Sequence, residues 1–177
     1  MPFSLADSNL AGQTYCAANV SAKSVIAVTT GMTGVILYNP IGSGVSAVIN
    51  SVGWVWTTAP AAVHNIGLAL AAPNVTVPSS LTAIGSGVLK ANGLGNADKS
   101  LCKAYDAATL AVAPVIVRWS FGATYGSGVG ESPAALIDYV NGGIILIPGA
   151  VMCFAAVTTT AVGMGSVCWS EVPFTGA

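Results

Sequence analysis

Charge is what this sequence has least of. It carries six Asp and Glu and five Lys and Arg in 177 residues, 6% of the chain, where typical globular domains hold about 25%. Nucleic-acid binding needs basic side chains that displace counterions from phosphates. Five scattered ones make no footprint, so no nucleic-acid partner is expected. A net charge of −1 on so few charges promotes association. The economical expectation is an obligate assembly, in which neighbours bury surface that would otherwise face water.

Histidine is nearly absent as well. His64 stands alone, and a Ser-His-Asp site would have to use it. No GxSxG elbow accompanies it, and its neighbourhood, APAAVHNIGLALAA, holds no acid. It reads as a buried or interface histidine. One His and four cysteines without a CxxC pair give no zinc spacing. The acids Asp7, Asp98, Asp106, Glu131, Asp138 and Glu171 are a small pool for paired-carboxylate hydrolysis, and each reads as a turn, cap or surface charge. No catalytic residue, metal or cofactor is expected, and hence no enzyme.

Clean spanning segments are missing despite a mean hydropathy of +0.76. The best apolar run, PAALIDYVNGGIILIPGAVMCFAAV, is broken by Asp138, Asn141, Gly142, Gly143 and Pro148. A second run carries Asn50, Pro60, His64 and Asn65. Neither has positive-inside flanks, and MPFSLADSNLAG lacks the n- and h-regions of a signal peptide. No membrane partner is expected.

Glycine, in contrast, is abundant, with 21 residues. TYGSGVGES (124–132) sits between a strand-like run and a helix-like one, as a phosphate loop would. Its spacing fails the P-loop pattern, and Glu131 stands where the lysine belongs. GSGV recurs at Gly42, Gly85 and Gly126 in unrelated surroundings, which reads as three tight turns rather than repeats. Asn19-Val-Ser and Asn74-Val-Thr match the glycosylation sequon, a pattern common by chance.

Between the Gly, Pro, Asn, Ser and Thr punctuation lie short runs rich in Val, Ile, Thr and aromatics. That pattern predicts an all-β sandwich or barrel. SVIAVTT, GVILYNP, GVSAVINSVGWVWTTA, PVIVRWSF, GGIILIPGAVMCFAAVTTT and GSVCWSEVP read as strands. In PVIVRWSF, alternation puts Val115, Val117, Trp119 and Phe121 on one face and Ile116, Arg118 and Ser120 on the other. SPAALIDYVN and SLCKAYDAATLA read as short helices, and ANGLGNADKSLCKAYD as the most exposed loop. Residues 1–22 read as an extended N-terminal arm and 23–177 as one β-sandwich domain. Trp54, Trp56, Trp119 and Trp169 lie in strand-like runs and read as core or subunit interface. If residues 150–171 form a hairpin turning near Thr160, Cys153 and Cys168 fall opposite each other, permitting a disulfide; otherwise buried free thiols are the default.

Two stretches together carry a resemblance. GVILYNPIGSGVSAVINSVGWVW (34–56) has a strand ending in Asn-Pro, then Gly-Ser-Gly and a long apolar strand. GGIILIPGAVMCFAAVTTTAVGMGSVCWSEVP (142–173) has Pro148-Gly149, strand, turn, strand and Trp169-Ser-Glu-Val-Pro173. This text resembles β-structured virion proteins of tailed bacteriophages, although Val45 stands where the pattern often has Lys. The resemblance implies a capsid decoration, or cement, protein: a small jelly-roll-like sandwich, often a homotrimer. Such a protein is made in the host cytoplasm and seated on the major capsid protein at the virion surface. Related implications are a minor head, neck or tail protein or a single-jelly-roll capsid subunit; a glycan- or receptor-binding fibre module is the alternative class, against which the placement of the four Trp in strand-like runs counts.

Overall fold

The computed structural model describes residues 13–58, 64–74, 76–90, 99–123, 136–157 and 160–175. These form two antiparallel sheets facing each other as an all-β sandwich. The seven-stranded sheet runs β10 (Leu136–Tyr139), β4 (Val45–Trp56), β13 (Ala161–Pro173), β1 (Thr14–Ala18), β7 (Leu89–Lys90). To it are added β11 (Ile145–Leu146), on β4, and β2 (Lys23–Val25), on β13. The six-stranded sheet runs β6 (Ser79–Ala83), β8 (Lys103–Thr109), β3 (Gly31–Tyr38), β12 (Val151–Ala156), β5 (His64–Ala71), β9 (Val115–Ala123).

β4 and β13 form the spine. In β13, Val167 and Trp169 are buried while Met164, Ser166 and Cys168 are only partly buried, the two-residue period of a strand with one face on a core. Trp54 and Trp56 keep the same period in β4. The inter-sheet core holds Trp54, Trp169, Phe154, Ile49, Ile66 and Leu68, all sealed from solvent. Removing roughly 200 Å² of indole surface from water is worth about 5 kcal/mol gross per tryptophan, so these residues dominate the sandwich. Two glycines make room for them. A Cβ on Gly163 would stand 2.5 Å from the Trp54 ring, and one on Gly165 would stand 2.5 Å from the Phe154 ring.

The NPIGSG turn between β3 and β4 is built as its text suggests. Gly42 and Gly44 take φ values of +75° and +71°. Buried Asn39 donates from Nδ2 to the carbonyls of Val45 (2.7 Å) and Leu146 (2.8 Å) and accepts from Ser43 Oγ (2.6 Å). The GSGV at Gly85 is also a turn, and the one at Gly126 lies outside the described residues.

Several expectations need correction. The stretches read as helices contain β10 and β8 instead; the tertiary ladder overrides local propensity there. The N-terminal arm is not free over Thr14–Ala18, because β1 is an interior strand between β13 and β7. Residues 1–12 lie outside the described set. Within the stretch read as an exposed loop, Cys102 and Asp106 are buried. Residues 150–171 do not form a hairpin: β12 and β13 belong to opposite sheets. Cys153 packs with Met32, Ile36 and Ala69 on the far side of the six-stranded sheet, whereas Cys168 faces outward from the other sheet. The disulfide is therefore Cys16–Cys168, between directly opposed residues of β1 and β13 with Cα atoms 4.2 Å apart. Cys153 is a free, buried thiol, as is Cys102.

The alternation of β9 also fails. Its pairing with β5 slips twice, between Ile66 and Gly67 and between Leu68 and Ala69. Each β-bulge inserts a residue and resets which face follows. Phe121 enters the core, but Trp119, opposite Gly67, stands 55% exposed.

Candidate functional site

Two sheet edges run side by side along one flank. β9 is the outer strand of the six-stranded sheet, and β10 is the outer strand of the seven-stranded one. Register puts Arg118 opposite the inward-facing Leu68 and Asp138 opposite the inward-facing Val52. The two side chains meet across the gap. Arg118 donates from Nε and Nη2 to the two Asp138 oxygens, both at 2.8 Å. The guanidinium holds the Asp138 carboxyl below its usual range, and Asp138 in turn raises Arg118. Chemically, the pair cancels its own charge and ties the sheet edges together.

Beside the pair opens a cleft of about 300 Å³ lined by Leu70, Val117, Arg118, Gly143, Ile144 and Ile145. Val117 and Ile145, which line it, are each more than half exposed; Trp119, opposite Gly67, is exposed on the outward face of the six-stranded sheet, and Ile137 and Tyr139, opposite Gly53 and Ser51, on that of the seven-stranded one. Trp119 is braced over Gly67: a Cβ there would stand 2.8 Å from Ile116 and 3.0 Å from the Trp119 ring.

The second surface is the outward face of the seven-stranded sheet. Residues directly opposite each other share a face, so the registers define rows across it. One row is Tyr139, Ser51, Cys168, Cys16 and Leu89. A second is Ile137, Gly53, Ser166 and Ala18, and a third is Ile145, Val48, Ser170 and Thr14. In the third, Ser170 Oγ bonds to Thr14 Oγ1 (3.0 Å) and accepts from Asn50 Nδ2 (2.9 Å). Among the described residues no charged side chain falls on these rows. Lys23, Lys90, Asp138 and Glu171 pair with Gly163, Tyr15, Val52 and Ala47, which face inward.

The buried polar groups fasten neighbouring elements to each other. Glu171 accepts from Ser100 Oγ (2.6 Å), Cys102 N (3.0 Å), Leu101 N (3.1 Å) and Trp169 Nε1 (3.2 Å), anchoring the 100–102 loop to β13. Burial first, and Glu171 second, push the Cys102 thiol up, away from a nucleophilic thiolate. Burial alone pushes Cys153 up to about 12. Asp106 takes Lys23 Nζ at 2.9 Å and Asn19 Nδ2 at 2.7 Å, linking β8 to the opposite sheet. Asn19, of the first sequon, is thereby buried. A smaller cavity of about 100 Å³, lined among others by Pro73, Pro78, Leu110 and Val151, contains no titratable side chain.

Of the tryptophans singled out from sequence, Trp54, Trp56 and Trp169 are core, and Trp119 is on the flank. Trp54 meets Trp56 (5.7 Å between ring centres) and Phe154 (5.9 Å) edge-on, and His64 sits 5.8 Å from Trp56. Sequence reasoning missed Ile137, Tyr139 and the Arg118–Asp138 clamp. The alternation in LIDYV was the available signal, and it was read as helix. Among the described residues no three His, Cys, Asp or Glu side chains converge as a metal site, and no helix is long and apolar enough to cross a membrane. Comparison with known proteins finds no matching family model, no matching curated protein and no matching solved structure.

Proposed function

We propose that this chain is a non-enzymatic structural protein of a bacteriophage virion, a decoration protein that assembles as a homo-oligomer, a trimer, on the major capsid protein. The observation that carries the reading is the outward face of the seven-stranded sheet. Its half-buried and exposed residues include aliphatic groups, the Ser51 and Ser166 hydroxyls and a disulfide, with no charge among the described residues, while Thr14 and Ser170 of the third row are buried. Charged residues are depleted at the cores of protein interfaces, and this face has that composition. A clamp that binds only the assembled shell stabilises it by linkage. The Cys16–Cys168 bridge suits a particle that works outside a reducing cytosol.

Co-sedimentation with empty heads of the phage carrying this chain tests the proposal. Val55 is an exposed residue of the face, opposite Met164. Binding is expected to survive high salt, because little of it is Coulombic, and to be lost in Val55→Lys. Strong salt dependence, or full binding by that variant, would overturn it.

One observation favours a second reading, a glycan-binding module. The half-exposed Trp119 lies next to Arg118, which lines the cleft, and an indole face can stack on a sugar ring. Quenching of Trp119 emission by oligosaccharides, absent in Trp119→Phe, would support that alternative.

A further inference from the structure

We propose that Lys23, Asp106 and Asn19 form a single-turnover cross-linking site, in which the Lys23 amine displaces the side-chain nitrogen of Asn19 to make an intramolecular isopeptide bond. The three residues meet beside β13. Asn19 follows β1 and is held at Gly165: its N–H donates to the Gly165 carbonyl, and the Gly165 N–H donates to Asn19 Oδ1, both at 3.0 Å. Lys23 opens β2 opposite Gly163. Gly163 and Gly165 lie two residues apart on one strand and so share its inward face. Between Asn19 and Lys23, residues Val20, Ser21 and Ala22 loop out to solvent, which brings the two side chains to neighbouring places on that face. Asp106 reaches both from β8 of the opposite sheet, with Oδ1 on Asn19 Nδ2 (2.7 Å) and Oδ2 on Lys23 Nζ (2.9 Å). One carboxylate thus holds the nitrogen that attacks and the nitrogen that leaves.

Amide exchange needs a nucleophile, a proton carrier and a polarised carbonyl. A backbone N–H only donates and a carboxylate only accepts, so the Asn19 amide is oriented with its oxygen on Gly165 and its nitrogen on Asp106. The Lys23 ammonium first passes a proton to Asp106. The neutral amine then adds to Asn19 Cγ, and the Gly165 N–H stabilises the charge that develops on Oδ1. Asp106 returns its proton to Nδ2 and takes another from Nζ. The Cγ–Nδ2 bond breaks, the Cγ–Nζ amide remains, and ammonia carries the last proton away as ammonium. No oxidant or cofactor enters the balance. Asn19 and Asp106 are buried, and the Trp54 and Phe154 rings stand against Gly163 and Gly165, so competing water is kept from the carbonyl. The bond pins the exposed loop and joins β1 to β2. Because the site acts once, on its own chain, it is independent of the capsid reading.

The test is mass spectrometry of the reduced full chain, intact and after trypsin, for wild type, Lys23→Arg and Asp106→Asn, with far-UV circular dichroism to check folding. Wild type is expected to be lighter than its sequence by one ammonia and to resist cleavage after Lys23, since an acylated lysine is not a trypsin site. Both variants are expected at full mass, and residue 23 of Lys23→Arg is expected to be cleaved. Wild type at full mass overturns the inference. Loss of one water instead marks a Lys23–Asp106 bond and also overturns it. So does loss of ammonia with Lys23 still cleaved, which marks cyclisation of an asparagine onto its own backbone. Asp106→Asn cross-linked to the wild-type extent overturns the role given to Asp106. The deciding measurement is on wild type, so a variant that fails to fold leaves the test intact.

Discussion

Cys16 and Cys168 are separated by 152 residues, so their bridge closes most of the chain into one loop. In the chain-entropy account, a loop of that length removes about 5 kcal/mol of unfolded-state freedom, while native bridges measure about 2–5 kcal/mol on removal. The native side loses little on reduction. Both cysteines lie half-buried on the outward face, so no sealed cavity opens, and the β1–β13 ladder from Thr14 to Ala18 persists. The destabilisation therefore comes from the unfolded chain and should approach about 4 kcal/mol. An unfolding entropy of about 2.1 cal/mol/K per residue gives about 0.37 kcal/mol/K for this length, so Tm should fall by about 11 °C. Calorimetry with and without a phosphine reductant measures it. Alkylation of the denatured protein should count four free thiols after reduction against two before. A Tm unchanged within error, with reduction proven by alkylation, would refute the loop-entropy reasoning. A Cys16→Ser, Cys168→Ser double variant should match the reduced protein.

Gly163→Ala should cost about 3 kcal/mol or more in urea unfolding, since its Cβ would collide with the Trp54 ring and the Val55 carbonyl, a backbone atom that cannot rotate away. Glu171→Ala leaves Cys102 N and Trp169 Nε1 without an acceptor in the interior, while Ser100 Oγ keeps the Cys102 carbonyl, and should cost about 3 kcal/mol, whereas Glu171→Gln keeps one acceptor oxygen and should cost less. The stabilising effect of Asp138 should be present above its unfolded pKa, about 3.9, and lost as pH falls through its lower folded value. The pair is partly exposed, so the urea-midpoint gap between wild type and Asp138→Asn should correspond to less than about 1 kcal/mol near neutrality and vanish in acid. Cys102 and Cys153, buried and with raised pKa values, should resist iodoacetamide in the native protein at pH 8 and react once unfolded.

The sequence by itself determined the class of fold. Runs such as GVILYNP and GSVCWSEVP are too short, too β-branched and too closely punctuated for anything but a sandwich or barrel. The turn at Gly42 was legible because φ near +75° is open to glycine at no steric cost. Burial of Trp54 and Trp169 was legible too, because large aromatics in strand-like runs more often fill the core between two sheets than face solvent. Pairing was not. Whether Cys168 faces Cys153 or Cys16 depends on which strand lies beside β13, and local text carries no term for a partner 152 residues away. The flank was hidden for the same reason. Two bulges against β5 turn Trp119 outward while sending Phe121 into the core, and the clamp between Arg118 and Asp138 exists only because two different sheets end side by side. Composition announced that this surface would be poor in charge; only the tertiary structure decided where that uncharged surface gathers, because register, not residue type, sets the face each side chain occupies.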